Sequence, residues 1–493
     1  MKKFLLIHVV LFCSILSIKA QDKAAAPVKI SPDIPHDVDP KIQNLLKQEH
    51  KIYELNKKFN EYSWQAFLAI NWPVDKSGKP KKNFTDEGMP LWMGWKESFE
   101  VYRPDGGKPA PWGSSRTVNE LKKGLVPIPK EAINDPTARV LHSDTKRNIN
   151  ISDEEDQAFT GPLYDQNGNI VRYEILMNKE EFDYIIKHNL YNREGQVAFS
   201  SKPGFTAVNF PKSEFNGDNE GAIEIKLAWK ILEDSDHKER YFTSESYIMN
   251  NDLGVWQKKT VGLIGFHISQ KTQTGKQWVW STFEHSDNMK ESTIQENGKE
   301  VRIKPSLTDP DCEIAPVNQM LNDQSLNWTK DGTTLNFANK NSVRKTQAKR
   351  MIDIPHRVKV LNDKMKKYFA SVNSVWQYYE LIDTQYPLNQ NALPSNPNEL
   401  PDGVTNKSGG RPNIAFLTNM SMETFFQTGN QPASNLTENG TSTIQIFGTE
   451  SCMGCHSSAG IYGKDGNGNV VLLGQLTGDF SWLLQKANSA SGK

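Results

Sequence analysis

Ile223-Glu-Ile-Lys-Leu-Ala-Trp-Lys-Ile-Leu232 places Ile223, Ile225, Leu227 and Trp229 on one side and Glu224, Lys226 and Lys230 on the other. Strict alternation is the signature of a strand with one buried face. Downstream, residues 234–239 form a charged turn, and 241–249, 260–268 and 277–283 supply three further strands. Gln273-Thr-Gly-Lys276 is a hairpin-type connector between the last two. Consecutive strands with short polar links predict an antiparallel sheet, sandwich-like or barrel-like. Upstream, Asp165-Gln-Asn-Gly-Asn169 is a turn, 170–177 a strand and 179–189 a short helix.

Helical spacing flanks this β region on both sides. Ile42, Leu45, Leu46, Phe59, Trp64, Phe67 and Leu68 recur with helical period between 41 and 71, with Ser63 a candidate cap and Pro73 a stop. Residues 344–379 read as a long helix interrupted around Pro355, carrying Val358, Leu361, Met365, Phe369, Val372 and Trp376. Residues 74–165 are loop-rich, and Trp92, Trp95 and Trp112 are expected to pin them to the core. Residues 286–343 are polar and loop-like, and 387–411 are rich in Asn, Pro and Gly.

The predicted architecture is therefore α+β. A large domain spans 41–386, a linker 387–411, and a small, mainly helical module 412–493. In that module 418–426 reads as a helix, 434–443 as low-complexity polar sequence, and 480–487 as a last helix capped by Asp479. Residues 21–40 are rich in Pro and Asp and predict a flexible leader.

Residues 1–20 read as a secretory signal. Lys2 and Lys3 precede a mostly apolar run over 4–18, and Ala20 precedes a plausible cut at Gln21. The run is shorter than the roughly 20 residues a membrane span needs, and no other segment is long and apolar enough. The expected location is the periplasm or the exterior. Lys+Arg and Asp+Glu both number 58, so no net charge argues for nucleic acid or an anionic membrane surface. Hydrophobic content is a modest 37%, but 12 Trp and 22 Phe supply large apolar surfaces for a core. Past the signal, the cysteines are Cys312, Cys452 and Cys455, too few for a disulfide framework. Cys312 reads as a partly buried thiol.

Cys452-Met-Gly-Cys-His456 carries the chemistry. Cys-x-x-Cys-His is the pattern of covalent haem attachment: each thiol adds to one porphyrin vinyl group, and the adjoining imidazole reaches the iron. A disulfide, a thiol redox pair or structural zinc are the alternatives, but no βαβ pattern or second ligand pair accompanies the motif. No Met or His follows His456, so a sixth iron ligand must come from upstream. Met420 and Met422 are candidates within the small module; at i, i+2 spacing on a helix, one at most faces the iron. His267, on a stripe with Gly265 and Ser269, and His285, beside Glu284 and Asp287, are candidates from the large domain. For each of these four, a packing or structural role is the alternative. His356 is a weaker candidate, for a haem propionate.

Through Cys452, Cys455 and His456 the chain resembles the c-type cytochromes. Its wider layout is similar to the large bacterial proteins called cytochrome c family proteins. The likeness lies in Ser63-Trp-Gln-Ala-Phe-Leu-Ala-Ile-Asn-Trp-Pro73, in Trp278-Val-Trp-Ser-Thr-Phe-Glu-His285 and in the C-terminal motif. The resemblance implies one covalently attached haem c and brings no assigned reaction. The missing downstream ligand departs from the common class I pattern. The expected function is periplasmic electron transfer with a redox protein partner. The alternative is a haem-dependent enzyme or sensor whose open iron site takes a small oxidant or a diatomic gas. A binding protein with the module as a stabilising clip is a third possibility.

Overall fold

The computed structural model describes residues 24–114, 129–134, 139–141, 162–250, 255–275, 277–312, 317–319, 326–329, 335–337, 342–388, 412–413, 417–426, 452–456, 459–474 and 477–490. The signal at 1–20, most of the linker and the low-complexity stretch at 434–443 lie outside the described residues. The alternating segment becomes a central strand of a nine-stranded sheet. In chain order the strands are β1 (Lys96–Glu97), β2 (Arg139–Leu141), β3 (Arg172–Met177), β4 (Ile223–Ile231), β5 (Thr243–Asn250), β6 (Val255–Lys271), β7 (Trp278–His285), β8 (Tyr379–Pro387) and β9 (Pro412–Asn413). The main path is β9-β8-β7-β6-β4-β3-β1, antiparallel throughout, and β5 with its parallel partner β2 branches from β6.

The branch exists because β6 is long, 17 residues. Its first half pairs with β5 and its second half with β4 and β7. Gly262 lies opposite both Lys230 and Thr243, so β4 and β5 flank β6 on opposite sides instead of forming a meander. The path has two ends, and helices cover its apolar face where a sandwich would place a second sheet. Among the described residues the α+β class is therefore realised as one open, mostly antiparallel sheet.

The helices are α1 (Pro40–Gln48), α2 (Ile52–Ile70), α3 (Lys179–His188), α4 (Arg193–Ser200) and α5 (His356–Ser371). α2 presses Phe67 onto Phe283 and Phe266, with ring centroids 4.4 and 5.4 Å apart, and Val358, Met365 and Phe369 of α5 join the same cluster. Trp92 and Trp95 are buried there too and Trp112 packs against it, so these aromatics do pin the loop-rich segment. Ser63 is no cap: it sits mid-helix, buried, with its hydroxyl 2.7 Å from that of Ser281. The helix expected from 344 begins at His356, after Pro355, and ends before Asn373, whose φ is 52°. The chain then passes through a 3-10 turn at Val375–Tyr378 into β8.

Two more expectations change. Residues 292–303, read as loop, form a hairpin whose Asn297-Gly298 corner has φ of 50° and 75°, the conformation an Asn-Gly turn favours. Residues 24–39 are irregular but not a loose leader. Val28 and Ile34 enter the core, Gln270 donates to the Pro35 carbonyl (3.1 Å) and the Thr274 amide donates to Asp37 (2.7 Å).

The described residues of the C-terminal module carry little helix. They hold the five-residue α6 (Cys452–His456), a hairpin of β10 (Tyr462–Lys464) and β11 (Val470–Leu472), and 3-10 turns. Met453, Ile461, Phe480 and Leu484 share one cluster with Met177, Phe182, Trp278 and Trp280, so this segment closes over the large sheet. Among the described residues no helix is long and apolar enough to cross a membrane.

Candidate functional site

Alternation gives β4, β6 and β7 a second face opposite α2 and α5. It carries Lys226 and Ala228 on β4, Gly265, His267 and Ser269 on β6, and Trp280, Thr282 and Glu284 on β7. The chain after β9 returns to this face. Gly265 makes the approach possible: a Cβ there would lie 2.0 Å from Ser421 Oγ and 3.1 Å from Met422 Cε. Tyr173 OH donates to the Ser421 carbonyl (2.8 Å), and Asn419 Nδ2 donates to Thr282 Oγ1 and to the Phe283 carbonyl, both at 2.8 Å.

α6 packs beside this segment. In a helix, positions i, i+3 and i+4 share a side, so Cys452, Cys455 and His456 form one stripe. All three are half-buried, whereas Met453 and Gly454 between them are buried. Gln385 Oε1 on β8 accepts from the Met453 amide (2.7 Å), which fixes the helix to the sheet. The motif thus buries its spacer and keeps its three reactive side chains half-buried. Cys452 and Cys455 form no disulfide, and burial pushes the Cys452 thiol up, so it is protonated.

His456 stands 6.2 Å from the Trp280 ring, centroid to centroid. Its Nδ1 lies 2.7 Å from the Phe480 carbonyl. A carbonyl only accepts, so Nδ1 carries the proton and Nε2 is left with its lone pair. Burial pushes His456 down to about 4, so the imidazole is neutral near pH 7. A neutral imidazole whose far nitrogen is tied to a backbone carbonyl is the state of a metal ligand. Two thiols and such an imidazole on one stripe fit a covalently attached porphyrin. Among the described residues no group of three or more His, Cys, Asp or Glu converges to hold an ion.

The upstream candidates separate. His267 remains at the site: its Nε2 is 2.8 Å from Glu423 Oε1, in a half-buried pair. Burial works to raise Glu423, but His267, Lys226 and the Asn419 amide outweigh it and hold the carboxyl below its usual range. Met420 and Met422 are wholly buried with Leu163, Tyr173, Ala228 and Ile264, in a different cluster from Met453 and Phe480. The helix expected around them is a turn leading into a 3-10 turn at Thr424–Phe426. His356 is exposed at the start of α5, on the layer covering the opposite face. Cys312 is half-buried and unbridged.

His285 is corrected from ligand candidate to structural residue. Its Nδ1 accepts from the Asp287 amide (3.1 Å), its Nε2 donates to the Arg240 carbonyl (2.9 Å), and its ring stacks on Tyr241 with centroids 4.2 Å apart. No nitrogen remains for a metal. Burial pushes His285 down to about 4. The unfolded chain takes up this proton near pH 6.5, so the contribution is fully present above that pH and is lost as pH falls toward 4, roughly 3 kcal/mol in total. Urea unfolding of His285→Gln is therefore expected to show a shallower loss of stability from pH 7 to 4.5 than the parent chain. Equal losses would contradict this account.

Sequence reasoning missed Glu423, Gln385 and the Phe480 carbonyl. Glu423 follows Met422 in a stretch read for its methionines, and a backbone carbonyl has no sequence signal at all. No protein-family model, curated protein or solved structure matches the chain.

Proposed function

We propose that this chain is an exported, single-haem c-type protein that passes one electron between periplasmic partners. Cys452 and Cys455 would form the two thioether links and His456 Nε2 would hold the iron. One observation carries the proposal: these three side chains lie on one half-buried stripe of α6, with the His456 proton committed to Phe480. Bound haem supplies a one-electron couple whose potential depends on its axial ligand and surroundings. The chain's own residues do the rest. The Phe480 carbonyl sets the tautomer and angle of the imidazole. Gln385 and the buried Met453 hold α6 against the sheet. Trp280 shields the imidazole from water on the sheet side.

A haem-dependent enzyme or sensor is the second candidate, and a specific pair favours it. His267 and Glu423 can hold and pass a proton beside α6, while Met420 and Met422 are occupied in packing. The test is to produce the full chain in a bacterium that attaches haem and to purify it from the periplasm. The expected product carries the mass of one haem and a Soret band. Low-spin ferric iron indifferent to cyanide supports electron transfer, and high-spin iron that binds cyanide supports the second candidate. A periplasmic product with neither mass increment nor Soret band would end both.

A further inference from the structure

Phe480, whose carbonyl meets His456, sits in an unusual backbone. Asp479 and Phe480 are consecutive non-glycine residues with φ of 51° and 66°. A bulky side chain in the left-handed region is a genuine outlier, and such strain persists only where the surroundings over-determine it.

The surroundings here are a set of buried polar contacts, all from outside the turn. Lys271, the last residue of β6, forms an ion pair with Asp479 in which neither side chain has solvent exposure. The Phe210 amide donates to the same carboxylate (2.7 Å). Trp278, the first residue of β7 and the direct cross-strand partner of Lys271, donates its indole N–H to the Asp479 carbonyl (2.7 Å). The end of the β6–β7 hairpin therefore grips Asp479 at both side chain and backbone, immediately before the carbonyl that meets the imidazole. Burial pushes the Asp479 carboxyl up and the Lys271 ammonium down, and the contact between the two groups opposes both shifts.

From this geometry we infer that Lys271 and Asp479 are positioning residues: they hold a strained turn so that the Phe480 carbonyl keeps the Nδ1 proton of His456, and thereby set the electron-donating strength of the iron ligand. The inference rests on the haem assignment proposed above. An imidazole that donates firmly from Nδ1 is the more basic ligand and favours ferric iron. A turn needed only for chain closure would tolerate other carbonyl orientations. Clamping it against strain is understandable if the orientation itself matters.

The test uses the full, haem-loaded chain. Removing one charge would strand the other in a dry interior, so the informative variant is Lys271→Met with Asp479→Asn, which removes both members of the pair together. It is expected to carry as much covalent haem as the parent chain and to have a higher midpoint potential. The expected size is about tenfold in the ferrous-to-ferric ratio at fixed potential, equal to about 59 mV for one electron. A purely structural clamp would not move that quantity. A loaded double variant with the parent potential overturns the clamp alone, and a parent chain without covalent haem overturns the assignment and the clamp together. A second measurement needs no variant. In the reduced parent protein the His456 Nδ1 proton should exchange with solvent as slowly as core amides, and rapid exchange would overturn the inference.

Discussion

Arg139→Met is expected to lower stability by about 3–5 kcal/mol, the range for removing one partner from a buried ionic group. Arg139 has no solvent exposure. Its Nε lies 3.0 and 3.1 Å from the two Glu174 oxygens, its Nη2 bonds Glu174 (2.7 Å) and Glu97, and its guanidinium lies 5.4 Å from the Trp92 ring centroid. Through this one side chain β2 is tied to β1 and β3, while its backbone pairs with β5. Methionine fills the space but leaves two carboxylates buried without their cation. The loss should therefore be smaller at acid pH, where the stranded carboxylates take up protons. It should also be largely recovered in the triple variant that adds Glu97→Gln and Glu174→Gln, since no charge is then buried. Urea midpoints at pH 7 and 4.5 decide the matter. A single variant as stable as the parent would mean that the network contributes nothing.

That network also marks how far the sequence could be read. Arg139 reaches residues 35 and 42 positions away, and no local pattern announces such a partnership. Local patterns fared well where local physics dominates. The helix read at 179–189 forms as Lys179–His188, capped by the Asn178 side chain and closed by Asn189 in the left-handed region. The alternation from Ile223 assigned both faces of β4 before any partner was known. Failures came where two patterns overlap or where the partner is distant. Phe369, Val372 and Trp376 keep helical spacing across a real helix end, so the helical pattern runs on past Ser371 to Tyr379. Composition marked 387–411 as a boundary, but composition says nothing about where apolar residues beyond it will pack. Trp280 and Phe480, 5.6 Å apart between ring centroids, show that they return to the sheet. At the candidate site the motif was legible as residue types. The carbonyl that orients His456 and the glycine that admits Ser421 became meaningful only in three dimensions.

Replacing both Cys452 and Cys455 with alanine is expected to abolish covalent haem, while either single replacement leaves one thioether. The argument is stoichiometric: each thiol consumes one vinyl group, so one link survives each single change and none survives the double. Acid–organic extraction should then release haem from the double variant and from neither single variant, and intact mass should report the same division. His456→Ala makes the complementary cut. On the proposed assignment both links would remain, so the mass increment should persist, while the iron would lose the His456 imidazole and the spectrum should become high-spin. Loss of packing does not mimic this division: all three side chains are half-buried and Cys452 packs against both large clusters, so a packing loss lowers stability without deciding whether haem is extractable. Urea midpoints of the haem-free variants report that packing loss separately from the haem readout. Extraction-resistant haem in the double alanine variant would place the attachment elsewhere and would remove the role proposed for the stripe on α6.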